Sequence, residues 1–350
     1  MLQPVDEHVG FLSEKVFDQL SKRYAFDKIV PYPFINIGGS PILLNRRSET
    51  AKKVILKTVT NNVINFYFLK ELPWYIEKDY IHQVVKLQSM LHEETKLAPK
   101  VIRTIDDQLF FEVESDLYYL QEYVSGKSCD NSLGQASRAG QTLAAFHTYT
   151  KDMPEEGLTV KEDDLISRPT GLLHLVIRNY KEKRRDLNLK HKDYMTLIQE
   201  TRQKILQLKD KTTETSVKRQ VVHGDFNPTN LIFVNQNEPL QLIDFDNISM
   251  DSTYHDLAEA LVSFSIVKYK PNSSRFDSLH ESKVRLAKAL YHNYIEYSKI
   301  NHNHTILDNY IESTIIEYIC LGVLRGDFSI NEAINYIRNI DNFTININDD

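Results

Sequence analysis

Side chains capable of chemistry concentrate between residues 221 and 246, VVHGDFNPTNLIFVNQNEPLQLIDFD. His223, Asp225, Asn227 and Asn230 fall in a loop between two apolar runs, Val221-Val222 and Leu231–Val234. A second polar cluster, Asp244 and Asp246, ends the next apolar run, Leu240–Ile243. Pro228 and the tract Asn235–Pro239 enforce turns. The simplest packing brings both clusters to one end of adjacent strands, gathering carboxylates and a carboxamide at one point. Such an oxygen-rich set suits Mg²⁺, a hard ion that takes one or two carboxylates and completes its shell with water and phosphate oxygens. The chemistry served would be phosphoryl transfer, which needs positioning, charge neutralisation and a base that orients the attacking hydroxyl.

HGDFNPTN followed by LIDFD resembles the aminoglycoside phosphotransferase and choline kinase superfamily of small-molecule kinases. That family shares the protein-kinase-like fold but carries H-G-D where protein kinases have H-R-D, and I-D-[FWY]-[DE] where they have D-F-G. Asp225 stands five residues before Asn230, the spacing of the kinase catalytic loop. The resemblance makes Asp225 the catalytic base, with His223 supporting the loop. It makes Asn230 and Asp244 metal ligands, with Asp246 in a supporting role beside them.

The rest of a nucleotide site follows from the same resemblance. Lys70 ends the run Asn65–Leu69 and is assigned to the α- and β-phosphates. Gln121–Gly126 resembles the hinge that meets the base through main-chain groups, with Glu122 and Val124 as the contacts. The loop that covers the phosphates is read at residues 46–52, with Ser48 as its binding residue, and Gly38-Gly39 as the alternative. The glutamate that normally pairs with the lysine is missing from the following helix, DYIHQVVKLQSML. Either Gln83 substitutes for it or the partner comes from elsewhere. His147 and Asp256 read as structural supports, and the single tryptophan, Trp74, as packing.

Elements that position these residues can be traced by periodicity. An amphipathic helix spans 5–25 and is closed by Pro31 and Pro33. Phe34–Ile37, Lys53–Thr58 and Asn65–Leu69 read as strands, the last two joined by a turn at Thr60-Asn61-Asn62. A helix over 78–94 precedes strands at Lys100–Arg103, Leu109–Glu114 and Tyr118–Tyr123. Beyond Ser132 helices dominate, near 134–149, 170–185, 190–210, 254–268, 278–299, 306–324 and 330–339. The reading is an α+β, bilobal protein-kinase-like fold: a small β-rich N-lobe over 1–124 and a larger helical C-lobe over 125–350. A nucleotide in the cleft between lobes suits it.

Bulk properties narrow the partners. The chain has 350 residues, 41% of them hydrophobic and 26% charged, with a formal net charge of −6. No basic field argues for nucleic acid or an anionic membrane. Cys129 and Cys320 are isolated, which excludes a disulfide framework. The N-terminus lacks the bases and apolar core of a signal peptide, so a cytoplasmic location is expected. The expected function is transfer of the γ-phosphoryl group of ATP or GTP, with Mg²⁺, to a hydroxyl of a small molecule. Aminoglycoside, choline, homoserine, a thiosugar or a biosynthetic intermediate would each serve as acceptor. The competing reading is a catalytically silent, spore-coat-like member of the fold, which the missing glutamate favours and the intact Asp225, Asn230 and Asp244 oppose.

Overall fold

A computed structural model describes residues 12–32, 35–37, 40–42, 52–72, 77–127, 129, 132–161, 165–183, 191–211, 217–234, 240–265, 281–299 and 303–340. Ser48, the loop over 46–51, Gly38-Gly39 and Trp74 lie outside these residues, as does the turn Asn235–Pro239.

In chain order the elements begin with α1 (Glu14–Tyr24), β1 (Lys28–Tyr32), β2 (Ile35–Ile37), β3 (Ser40–Ile42), β4 (Lys52–Thr60) and β5 (Val63–Leu72). Then come α2 (Lys78–Thr95), β6 (Val101–Ile102), β7 (Phe111–Val113), β8 (Asp116–Glu122), α3 (Leu133–Thr150), α4 (Ser167–Lys183) and α5 (His191–Lys211). The chain continues with β9 (Arg219–Val222), β10 (Leu231–Ile232), β11 (Gln241–Leu242), β12 (Ser249–Ser252), α6 (Thr253–Ser265), α7 (Glu281–Ser298), α8 (His304–Arg325) and α9 (Ile330–Arg338). They fall into two compact units. The first comprises 1–129, 156–158 and 229–246, and the second 130–155, 159–228 and 247–350. The division thus falls at 129 and takes the β10–β11 segment into the first unit.

The first unit is built on a six-stranded antiparallel sheet in the order β1-β4-β5-β8-β6, with β7 pairing β8. Asn61 and Asn62 make the β4–β5 turn with φ of 50° and 63°, the left-handed pair that a two-residue hairpin requires. Side chains alternate across the sheet. One face carries Leu56, Leu69, Tyr118 and Leu120 against Val16, Leu20 and Tyr24 of α1. The other carries Leu72, Leu117 and Tyr119 against Ile81 and Val85 of α2. Lys70, one residue from Leu69, therefore shares the α2 side.

The region after α1 departs from the sequence reading. Pro31 does not close the helix but lies inside β1, which pairs β4 with Pro31 opposite Leu56. β1 is the last strand of the sheet order, and an edge strand tolerates the missing N–H of proline. The helix itself ends at Tyr24, where Ala25 takes a left-handed conformation (φ 52°).

In the second unit α3 packs on α7, and α6 and α4 pack on α8. A Cβ at Gly140 would sit 2.1 Å from the Leu290 carbonyl oxygen, so the glycine is what lets α3 approach α7 this closely. The strand before the catalytic-loop motif, β9, pairs with β12, whose polar sequence Ser249–Ser252 is fully buried. β10 pairs instead with β11. The two polar clusters are thus served by two separate ladders rather than by one run of adjacent strands.

Candidate active site

The first unit contains a cavity of about 240 Å³. It is lined by Lys53, Lys70 and Asp244, by the apolar Phe68, Leu231, Ile232 and Ile243, and by Gln121 to Val124. The expected nucleotide residues Lys70, Glu122 and Val124 thus share one cavity with the expected metal ligand Asp244. Among the described residues the Val124 backbone makes no hydrogen bond, whereas the Glu122 N–H donates to the Lys100 carbonyl at 2.8 Å.

The β10–β11 pairing brings the two expected metal ligands to one end. Leu231 stands opposite Leu242, so Asn230 before β10 and Asp244 after β11 emerge at the same end. The Ile243 N–H donates to the Asn230 carbonyl at 3.0 Å and ties the two ends together. Asp244 has φ 68°, a conformation that aspartate reaches more readily than most residues. The carboxylate of Asp244 and the carboxamide of Asn230 supply the oxygen donors that a hard divalent ion takes. Among the described residues no group of three or more His, Cys, Asp or Glu could hold a metal by itself. Asn230 and Asp244 could therefore hold Mg²⁺ only with phosphate and water completing the shell.

Lys70 is deeply buried, its side chain 3% exposed. Its Nζ contacts Asp246 and lies 3.1 Å from Asp244 Oδ1. Burial opposes its charge, but Tyr119, Asp246 and Asp244 outweigh burial and hold its pKa above the ordinary lysine value. Asp246 thus occupies the role that the missing helix glutamate left open. Helix α2 contributes through Tyr80, whose hydroxyl donates to the Asp246 carbonyl at 2.8 Å. Gln83 lies instead beside Gly157. A second lysine that the sequence reading did not single out, Lys53, reaches both Asp244 oxygens at 2.7 Å. Burial works to raise the Asp244 pKa, but Lys70 and Lys53 reverse it and hold the carboxyl well below its usual range.

The second unit carries His223 and Asp225. Gly224 has φ +71°, and a Cβ there would meet the Asn247 carbonyl oxygen at 2.3 Å, so H-G-D requires its glycine. The loop is anchored by Asp256, which accepts the His223 and Gly224 N–H groups at 2.8 Å each. His147 Nε2 lies 3.1 Å from Asp256, and its Nδ1 lies 2.8 Å from the Tyr294 hydroxyl. The buried His223 ring stands edge-on to Phe146 and Phe226. Asp225 is only half-buried, and its Oδ1 accepts from Asn227 Nδ2 at 2.7 Å.

Burial pushes the Asp256 pKa up, but the hydrogen bond and charge of His147 and the loop N–H groups prevail and depress it well below the ordinary value. A depressed folded pKa supplies stability above the unfolded value of about 4, lost as pH falls toward the folded one. Asp256→Asn is therefore expected to cost about 3 kcal/mol near neutral pH, because it removes a buried charge that several groups share. Urea midpoints across the acid range measure this, and the variant should lose part of the acid dependence.

A lysine-bearing sheet, a hinge and an Asn/Asp hairpin in one unit, with an H-G-D loop in the other, define a phosphotransferase of the protein-kinase-like class. A model of the phosphotransferase enzyme family matches residues 67–272, more than half of the chain. The chain belongs to that family, and it is a small-molecule phosphotransferase. Among solved structures, spectinomycin phosphotransferase in complex with ADP and spectinomycin aligns over 97% of each chain at 13% identity and a TM-score of 0.58. Amicoumacin kinase in complex with AMP-PNP, Ca²⁺ and Ami aligns over 94% of this chain and 93% of that one, at 12% identity and a TM-score of 0.60. Plasmodium vivax ethanolamine kinase aligns over 91% and 83%, at 11% identity and a TM-score of 0.52. At these identities the likeness is one of fold. No curated protein matches the sequence. No described helix is long and apolar enough to cross a membrane.

Proposed function

We propose that this protein transfers the γ-phosphoryl group of ATP or GTP, as the Mg²⁺ complex, to a hydroxyl of a small cationic molecule. The observation that carries the reading is the convergence of Lys70, Asp244 and the hinge on one cavity. Lys70 would steady the α- and β-phosphates, and the main chain of Glu122 and Val124 would meet the base. Asn230 and Asp244 would hold the metal, which would neutralise phosphate charge when bound. Asp225 would orient the acceptor hydroxyl and take its proton, with His223 supporting its loop. Ser48 is retained as the phosphate-loop contact.

The acceptor's charge is inferred from the second unit. Glu259 Oε2 has no hydrogen-bond partner among the described residues. Burial first, and then the neighbouring carboxylates Asp225, Asp256 and Glu317, raise the Glu259 pKa well above its ordinary value, with Arg168 opposing. A ligand ammonium would relieve that repulsion. Relatives of the fold described as spectinomycin, aminopropanol and ethanolamine kinases support an amine-bearing acceptor.

Thermal unfolding with and without Mg-ATP or Mg-GTP tests the nucleotide half of the reading. Nucleotide at 100 times its Kd should stabilise the protein by about 2.7 kcal/mol. No shift with either one would favour the silent, binding-only reading.

A further inference from the structure

We propose that Lys53 is a second phosphate-binding lysine, which neutralises Asp244 when the nucleotide is absent and turns to the phosphates when it is present. The inference rests on the nucleotide reading above and adds a residue to it.

The hairpin register places the residue. β4 and β5 pair Lys53 directly with Lys70, so both side chains leave the same face of the sheet and line the same cavity. Lys53 Nζ lies 2.7 Å from both Asp244 oxygens and 3.9 Å from Asp246 Oδ2. Two ammonium groups thus face two carboxylates. The two lysines differ in freedom. Lys70 is 3% exposed and held by Asp246, Asp244 and Tyr119, while Lys53 is 21% exposed and its described contacts are the two aspartates.

Charge balance then dictates what Lys53 does on binding. If Asp244 is to serve as a metal ligand, its two oxygens cannot both remain in the Lys53 ion pair. Lys53 would be left as a half-buried ammonium in a cavity now holding a polyanion, and an unpaired charge there is costly. With Asp246 already paired to Lys70, the nucleotide's phosphates are the anion that can replace the lost carboxylate. A stem of four methylenes gives the ammonium the reach to exchange one oxygen partner for another.

Titration calorimetry of wild type, Lys53→Met and Lys53→Arg with adenosine, AMP, ADP and ATP, the last two with Mg²⁺, tests this. Lys53→Met should bind adenosine as wild type does. It should bind Mg-ATP at least about tenfold more weakly, the cost of one charge-assisted hydrogen bond. The deficit should grow with phosphate number, and Lys53→Arg should recover most of it. Equal Mg-ATP affinity in wild type and Lys53→Met overturns the inference while leaving the nucleotide site intact. Parallel loss of adenosine and ATP also overturns it, because the residue would then merely shape the cavity. A wild type that binds no nucleotide removes this inference together with the reading beneath it.

Discussion

Asp225→Asn is expected to lower kcat by about a thousandfold while leaving the KM for nucleotide nearly unchanged. The magnitude is that of a positioned general base. The split between the two constants follows from the structure. Asp225 belongs to the second unit, whereas the residues lining the cavity proposed for the nucleotide all belong to the first. The amide keeps the shape of the carboxylate and can still meet Asn227, so the loop held by Asp256 should persist. Steady-state kinetics with nucleotide varied at saturating acceptor would decide it. A fall in nucleotide affinity as large as the fall in kcat would mean that the substitution had disturbed the cavity.

Asp244→Asn should produce a loss of similar size with a different signature. Metal assistance supplies several kcal/mol of transition-state charge stabilisation, and each 1.36 kcal/mol is a factor of ten, so a loss of about a thousandfold is expected. Here the dependence on Mg²⁺ concentration should shift with the rate, which it should not in Asp225→Asn. The variant also leaves Lys53 and Lys70 with Asp246 alone. Binding of metal-free nucleotide should therefore hold steady or strengthen, since two ammonium groups then face fewer competing carboxylates. Weaker binding of metal-free ADP in Asp244→Asn would contradict the assigned roles.

Much of this was legible in the sequence because the signals were local. The H-G-D loop and the I-D-F-D run carry the family resemblance within a few residues, and helical spacing of apolar residues marks the helices of the second half. What escaped depended on pairing. The sequence reading has Lys53 only as the first residue of a strand; the left-handed Asn61-Asn62 turn fixes the hairpin register and sets it opposite Lys70. Counting back from that turn was the signal that could have found it. β12 escaped because Ser249–Ser252 has no apolar pattern, and its burial comes from pairing with β9. β1 escaped because Pro31 reads as a breaker, a rule that an edge strand relaxes. The partner of Lys70 was sought one helix away, at the position of an absent glutamate. Asp246 fills that place from the hairpin segment itself, steadied by Tyr80.

The most direct measurement is to follow the γ-phosphoryl group itself. Wild-type protein would be incubated with Mg²⁺ and γ-labelled ATP or GTP against a panel of hydroxylated amines and neutral alcohols, and the products identified by mass and phosphorus NMR. The account predicts a phosphomonoester of at least one cationic acceptor, formed only when Mg²⁺ is present and abolished by a chelator. Bound nucleotide that yields no phosphorylated acceptor across the panel, or label released only as inorganic phosphate, would contradict it.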